Sequence, residues 1–282
     1  MKVAVTGAGG FVGRHVVAEL ERRGVSITAL LRPSSPVPAW CARHKLVALD
    51  VLTAPANAYE LAGRPDVLIH LAWGGLPNYQ SLHHFEAELP AQYKFLNGMV
   101  RAGLGALVVA GTCYEYGMQS GPLSERADAR PGNPYGLAKD MLRRQLAELK
   151  RQAPFAFTWA RLFYLHGDGQ AAGSLLAQLK AAVARGETVF PMSGGEQLRD
   201  YLPVADAARH LVQLAVTRRD NGVVNVCSGR PISVRKLVEG WIAERGWTIQ
   251  LDLGRHKYTE HAPMAYWGDR RKLDRCLTQG EP

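Results

Sequence analysis

A tyrosine and a lysine stand four residues apart in NPYGLAK, Tyr135 and Lys139, just after a proline that suits a helix start. That spacing puts both side chains on one helix face. A phenol with a reference pKa near about 10 shuttles protons poorly at neutral pH. An ammonium ~4 Å away at an effective dielectric of about 20 is worth about 4 kcal/mol, or roughly three pKa units. Such a tyrosine could exchange protons near pH 7. Earlier in the chain, GTCYEYG at 111–117 follows the apolar run ALVVA, so a strand delivers the Thr112 hydroxyl to its own end. Earlier still, TGAGGFVG spaces Gly7, Gly10 and Gly13 as GxxGxxG. There, missing Cβ atoms allow a tight turn, close approach of backbone to a pyrophosphate, and a helix N-terminus aimed at the anion. YxxxK alone is short and common, and any strand-to-helix turn can need a glycine. The three signals in this order are far harder to obtain by chance.

The elements that must position these groups alternate along the first half. KVAVTG, SITALL, KLVAL, DVLIHLA, ALVVAGT and FTWARLFYL read as strands, with helical patterns such as RHVVAELERRG and NPYGLAKDMLRRQLAELKRQ between most of them. Such a series predicts an α/β fold with a doubly wound parallel sheet covered on both faces, and ligands at the carboxyl ends of its strands. After residue 165 the rhythm changes to GSLLAQLKAAVARG, a turn at PMSGGEQ, RDYLPVADAARHLVQLAV, and a short strand GVVNVCSG. The organisation expected is a dinucleotide-binding domain over 1–165, to which 198–228 returns, and a smaller C-terminal substrate-binding lobe over most of 166–282. The end of the chain, after SVRKLVEGWIAERG, reads as an irregular tail.

Bulk properties narrow the function classes. A chain of 282 residues at 47% hydrophobic composition can bury one large core or two modest ones. No stretch approaches the ~20 consecutive apolar residues of a membrane span, and MKVAVTGAGG reads as a strand entering a glycine turn rather than a secretion signal. A cytoplasmic location and no membrane partner are expected. The formal charge is +9, but Lys and Arg are scattered in ones and twos with no basic tail. That distribution argues against nucleic acid and for several small anion-binding spots. Cys41, Cys113, Cys227 and Cys276 lie far apart with no CxxC pair, so neither a metal site nor a disulfide framework is expected.

The second strand ends ITALLRPSS, where an NAD site would normally place an Asp or Glu for the ribose hydroxyls. None is present. Arg32 ends that strand and Arg14 follows the last motif glycine, and guanidinium groups suit a 2'-phosphate that a carboxylate would repel. NADP, as NADPH, is favoured, with NAD as the alternative; Arg32 could instead be a solvated loop residue. Asp50 is placed to approach the adenine amino group or to cap the next turn. Phe11, Val12, Val51, Leu71 and Ala72 complete the expected cofactor-binding set with Tyr135 and Lys139.

With these residues in view, the sequence resembles the extended short-chain dehydrogenase/reductase superfamily, in its nucleotide-sugar epimerase, dehydratase and reductase branch. The resemblance covers most of the chain and rests on TGAGGFVG, HLA at 70–72, GTCYEYG, NPYGLAK, RLFYLHG at 161–167, RDYLPVADAA from Arg199 and NVCSG from Asn225. It implies a Rossmann domain and a triad in which Thr112 matches the family's Ser/Thr, Tyr135 is the acid/base and Lys139 holds the nicotinamide ribose. It implies a nucleoside-diphosphate sugar as substrate and, because YGLAKDMLRRQLAELK resembles the family's dimer seam, a homodimer. Position suggests substrate contacts from Trp73, Thr112, Cys113, Tyr114, Tyr164, Arg199 and, in the tail, Arg271. Arg199 could instead form an interlobe salt bridge.

One departure from the family bears on the reaction. Sugar-nucleotide dehydratases carry an Asp-Glu pair after that Thr, and here Cys113 and Tyr114 stand there, with Glu115 one place late and, on an extended segment, facing away. Epimerases acting at carbons 3 and 5 fit less well too, since Cys113 and His166 are each displaced from their pattern. The reaction expected is NADPH-dependent reduction of a nucleotide-linked 4-keto-6-deoxy sugar at carbon 4. The alternatives are a 4-epimerase with tightly held NAD and, from another class, a non-catalytic NADP-sensing regulator.

Overall fold

Runs rich in Val, Ile and Leu at β-strand length give the strands of one large sheet, because such runs bury both faces of a parallel ladder. In the computed structural model, which describes residues 1–258 and 263–278, the first five strands are β1 (Lys2–Thr6), β2 (Ser26–Leu31), β3 (Lys45–Ala48), β4 (Val67–His70) and β5 (Ala106–Thr112). They are followed by β6 (Gly121–Leu123), β7 (Ala156–Leu162), β8 (Tyr164–His166), β9 (Val189–Pro191), β10 (Leu198–Pro203), β11 (Gly222–Val226), β12 (Pro231–Ser233), β13 (Gln250–Asp252) and β14 (Tyr266–Gly268). Seven form an all-parallel sheet in the order β11-β7-β5-β4-β1-β2-β3. The chain winds outward from β1 through β2 to β3, then restarts at β4 on the other side. The switch point between β1 and β4 opens a crevice at their carboxyl ends, where doubly wound sheets bind ligands.

Helices cover both faces. On one side α1 (Phe11–Arg22) and α6 (Val204–Val216) bury Val16, Val17, Leu20, Leu211 and Val212 against the sheet. On the other, α2 (Ala58–Leu61), α3 (Leu89–Arg101) and α4 (Pro134–Gln152) bury Ala58, Leu96, Met99, Leu142 and Leu146. Asn133 caps α4 by accepting from the Gly136 amide at 2.8 Å, and Pro134 fills its first turn, which fixes where Tyr135 emerges. Among the described residues no helix is long and apolar enough to cross a membrane.

A separate core of Leu176, Leu179, Phe190, Met192, Val238 and Trp241 holds α5 (Leu175–Ala184) and α7 (Val234–Glu244) together beside the sheet. β11, from the 198–228 segment, supplies the edge of the main sheet next to β7. The tail is more regular than the sequence suggested. β14 runs parallel to β6, and α8 (Arg271–Thr278) packs Leu273, Cys276 and Leu277 on the core. Its pattern was hard to read because only those three apolar residues hold it, in eight residues otherwise polar.

Candidate active site

At the switch point, β1 runs into a glycine turn that gives way to α1. Gly7 lies at φ +66, and a Cβ on Gly13 would sit 2.1 Å from the Gly7 carbonyl oxygen, so the turn closes only with glycine at both places. Gly10 begins α1 without a side-chain cap, leaving first-turn N–H groups open to an anion. A cavity of about 480 Å³ opens here, lined by Gly7, Gly10, Arg14, Arg32, Asp50, Val51, Leu71 and Ala72 among others. This cradle fits the pyrophosphate and adenosine of a dinucleotide. Asp50 lines the cavity and also caps the next turn, accepting from the Leu52 amide at 3.0 Å, so the two roles proposed for it are compatible. No ion pair engages Arg14 or Arg32 among the described residues.

Below this cavity lies a buried polar chain that the sequence did not disclose. Gln92 donates through Nε2 to the Ala72 carbonyl and the Glu88 carboxylate, so its oxygen meets His70 Nε2 at 2.6 Å. His70 therefore carries its proton on Nε2 and accepts at Nδ1 from the Thr6 hydroxyl at 2.9 Å. Burial, with Lys139 nearby, drives its pKa down to about 3, so it stays neutral.

A second cavity of about 460 Å³ adjoins the first through Leu71 and Trp73, and Phe11 and Val12 line this one rather than the first. Thr112, Tyr135 and Lys139 meet on its wall. Thr112 ends β5 and its oxygen accepts from the Tyr114 amide at 3.2 Å, which leaves its proton free to donate. The Tyr135 backbone amide donates to the Tyr79 carbonyl at 3.1 Å, while the rings of Tyr79, His84 and Trp73 pack around the phenol at 5.5, 5.3 and 6.0 Å between centroids. Burial pushes the Tyr135 phenol well above its ordinary value, and the Thr112 hydroxyl opposes this. The downward pull expected from Lys139 does not offset this: its ammonium donates to the Ala110 carbonyl at 2.9 Å and lies 3.9 Å from the centroid of Trp73. Burial lowers Lys139 itself to about 7, against the attraction of Glu115 and Glu88.

Glu115 faces away from this cavity, as expected, but for a different reason. Residues 113–116 form a 3₁₀ turn rather than an extended segment. The Glu115 carboxylate passes beneath β5, where it accepts from the Thr112 amide at 2.9 Å, Trp159 Nε1 at 2.9 Å and Arg161 Nε at 2.6 Å, fully buried. Gly111 makes room, since a Cβ there would stand 2.2 Å from Trp159 Nε1.

Apolar and aromatic groups make most of the remaining wall of the second cavity, including Trp73, Tyr79, Tyr114, Tyr164, Tyr201 and Trp241, with Cys113 at its edge. Burial raises Cys113 to about 12 and holds Tyr114 and Tyr164 protonated. Among the described residues, Lys139 and His166 are the basic groups in the lining, and no carboxylate lines it. Arg199 lines neither cavity. It is buried behind Tyr164, with its guanidinium over the Tyr266 ring at 4.8 Å and bonded to the Leu198 and Met264 carbonyls, and no carboxylate pairs with it among the described residues. Arg271 also lies outside the site: its side chain is exposed on α8 and paired with Asp269. Tyr79, Gln170, Ser174, Tyr201 and Trp241 line the cavity without having been singled out in the sequence. The one signal for Tyr79 was the aromatic and histidine-rich stretch WGGLPNYQSLHH at the carboxyl end of β4.

A doubly wound sheet with a glycine cradle at its switch point, and a Thr/Tyr/Lys set facing it across a shared cavity, defines an NAD(P)-dependent oxidoreductase of the extended short-chain type. Residues 3–227 match the NAD dependent epimerase/dehydratase family, and the chain belongs to that family. It is 29% identical over 270 residues to the dTDP-6-deoxy-L-talose 4-dehydrogenase (NAD(+)) of Aggregatibacter actinomycetemcomitans, covering 95% of this chain and 99% of that protein. It is 30% identical over 258 residues to the dTDP-6-deoxy-L-talose 4-dehydrogenase (NAD(P)(+)) of Kitasatospora kifunensis, covering 87% of this chain and 79% of that one. Among solved structures, MoeE5 in complex with UDP-glucuronic acid and NAD superposes with a TM-score of 0.82 at 26% identity, over 99% of this chain and 93% of that one.

Proposed function

We propose that the protein reduces a nucleotide-linked 4-keto-6-deoxy sugar at carbon 4 to a 6-deoxyhexose, using NADPH. The observation that carries this reading is the wall of the second cavity: Thr112, Tyr135 and Lys139 on it, mostly apolar and aromatic groups elsewhere with His166, Gln170 and Ser174, and no carboxylate among the described residues. Elimination of water needs an acid and a base beyond Tyr135, and Glu115, the carboxylate that follows Tyr114, is committed to Arg161. A deoxy carbon 6 also suits an apolar wall better than a carboxylate or hydroxyl would, since an unpaired polar group there loses its hydration. Two relatives named as 6-deoxy-talose 4-dehydrogenases support the same carbon and the same class of sugar.

When bound, the cofactor supplies the hydride for carbon 4. Tyr135 delivers the proton to the carbonyl oxygen, and burial suits it to that role because the phenol begins protonated. The Thr112 hydroxyl, its oxygen occupied by the Tyr114 amide, donates to the same oxygen and fixes it as charge develops. Lys139 offers donors to the nicotinamide ribose from the wall of the second cavity, beside Trp73, which lines both. The preference for NADPH rests on Arg14 and Arg32 at the adenosine end, with no carboxylate at the end of β2. In the test, the purified protein is incubated with a nucleoside-diphosphate 4-keto-6-deoxyhexose and NADPH, followed by nicotinamide absorbance and by the mass of the sugar nucleotide. One NADPH is expected to be consumed per sugar reduced, and an intact nucleoside-diphosphate hexose should lose no water. Isomerisation of the sugar without net NADPH use would overturn the reading.

A further inference from the structure

The Lys139 side chain is buried, and its surroundings form a chain of contacts that runs through Trp73 and His84 to the backbone of Asn78. Asn78 offers its carbonyl to His84 Nε2 at 2.9 Å, and His84 Nδ1 accepts from Trp73 Nε1 at 3.1 Å. The indole N–H can only donate, so Nδ1 must be bare and the imidazole neutral for the chain to exist. With its edge thus anchored, and with His84 stacked beside it at 6.2 Å, Trp73 turns the face of its ring to the Lys139 ammonium. The ring face carries the negative lobe of the aromatic quadrupole, which attracts a cation most strongly where water is excluded.

We propose that Trp73 is a positioning residue for Lys139, holding the ammonium charged and aimed at the junction of the two cavities, and that His84 holds Trp73 in turn. The charged and titratable groups around Lys139 show why such a device matters. His70 on β4 is neutral and Tyr135 on α4 is protonated, so neither balances a charge. Glu88, ahead of α3, and Glu115, below β5, attract the ammonium but belong to Gln92 and Arg161 respectively, and neither forms an ion pair with it. His84 cannot compensate either, since a proton on Nδ1 would face the indole N–H. The Trp73 face and the Ala110 carbonyl both meet the ammonium directly.

The inference rests on the assignment of Lys139 to the cofactor but not on the identity of the sugar, so the test needs no substrate. NADPH binding is titrated by its fluorescence from pH 5.5 to 9 in wild type, Trp73→Leu, Trp73→Phe and His84→Ala. Binding should be strongest where Lys139 is charged and weaken as pH rises through the neutral range. Trp73→Leu should move that midpoint down by about one pH unit, Trp73→Phe should restore most of the shift, and His84→Ala should move it part of the way. Equal weakening at every pH, or an upward shift, would overturn the proposal. Should Trp73→Leu not fold, lysine-labelled wild-type protein still gives an answer. The Cε protons of Lys139, identified by their loss in Lys139→Met, should show a ring-current shift that disappears in Trp73→Phe or changes with its smaller ring. An unshifted resonance in the free protein would refute the contact itself, whatever the cofactor assignment.

Discussion

Replacing Glu115 by Gln separates a structural carboxylate from a catalytic one. Glu115 is fully buried and bonded to three donors, one of them the guanidinium of Arg161, which is itself buried and lies over the Tyr116 ring at 4.4 Å. The amide can keep some of these bonds but presents an N–H₂ to at least one N–H partner, leaving the guanidinium without its counter-charge. Removing one member of a buried ion pair costs about 3 to 5 kcal/mol, because the remaining charge is uncompensated. At roughly 2 to 4 °C per kcal/mol for a chain of this size, the melting temperature should fall by roughly 6 to 20 °C. The assay is thermal unfolding by circular dichroism beside steady-state reduction at a temperature where the variant is folded. Activity should fall modestly, through Thr112, whose amide shares its acceptor oxygen on residue 115 with the Trp159 indole. A variant that melts with wild type but has lost turnover by several orders of magnitude would refute this reasoning and return Glu115 to the list of proton-transfer groups.

Tyr135→Phe should retain cofactor binding and lower the turnover number by about 10² to 10⁴, the range of a lost general acid, as single-turnover reduction would measure. Arg32→Asp should shift preference from NADPH toward NADH, because a carboxylate suits a free ribose hydroxyl and repels a phosphate; parallel titrations of both cofactors test this. Lys139 is lowered from 10.5 to about 7, so between those values the unfolded chain binds more protons than the folded one and stability rises with pH. Below about 7 the whole cost of the buried charge is present. Lys139→Met should therefore melt above wild type at pH 6, with the advantage shrinking toward pH 10 in a series of thermal melts.

What could be read from the sequence was set within single elements. The glycine cradle and YxxxK are encoded by spacing along one turn or one helix, and the alternation of apolar runs with amphipathic ones is enough to demand a parallel sheet. What could not be read was set by pairing between elements. Glu115 is buried because β5 pairs with β7 in a register that sets Gly111 beside Arg161, 46 residues from Glu115, and because Gly111 leaves space for the Trp159 indole. Arg199 sits where a diphosphate contact was expected, yet Tyr266 of β14, in a tail that looked irregular, lies beneath its guanidinium and draws it out of the cavity wall.

The same distinction applies to Tyr135 and Lys139. A spacing of four residues decides which face of α4 carries Tyr135 and Lys139, but a lysine side chain has four rotatable bonds, and its charge goes where acceptors are offered. Here those acceptors are the Ala110 carbonyl at the end of β5 and the Trp73 face beyond β4, so the ammonium is held across the strand ends. Two consequences follow together. Burial keeps the Tyr135 phenol protonated in the free protein, which matches the proton donor that the proposed reduction needs, while Lys139 stays beside Trp73, a residue that lines both cavities.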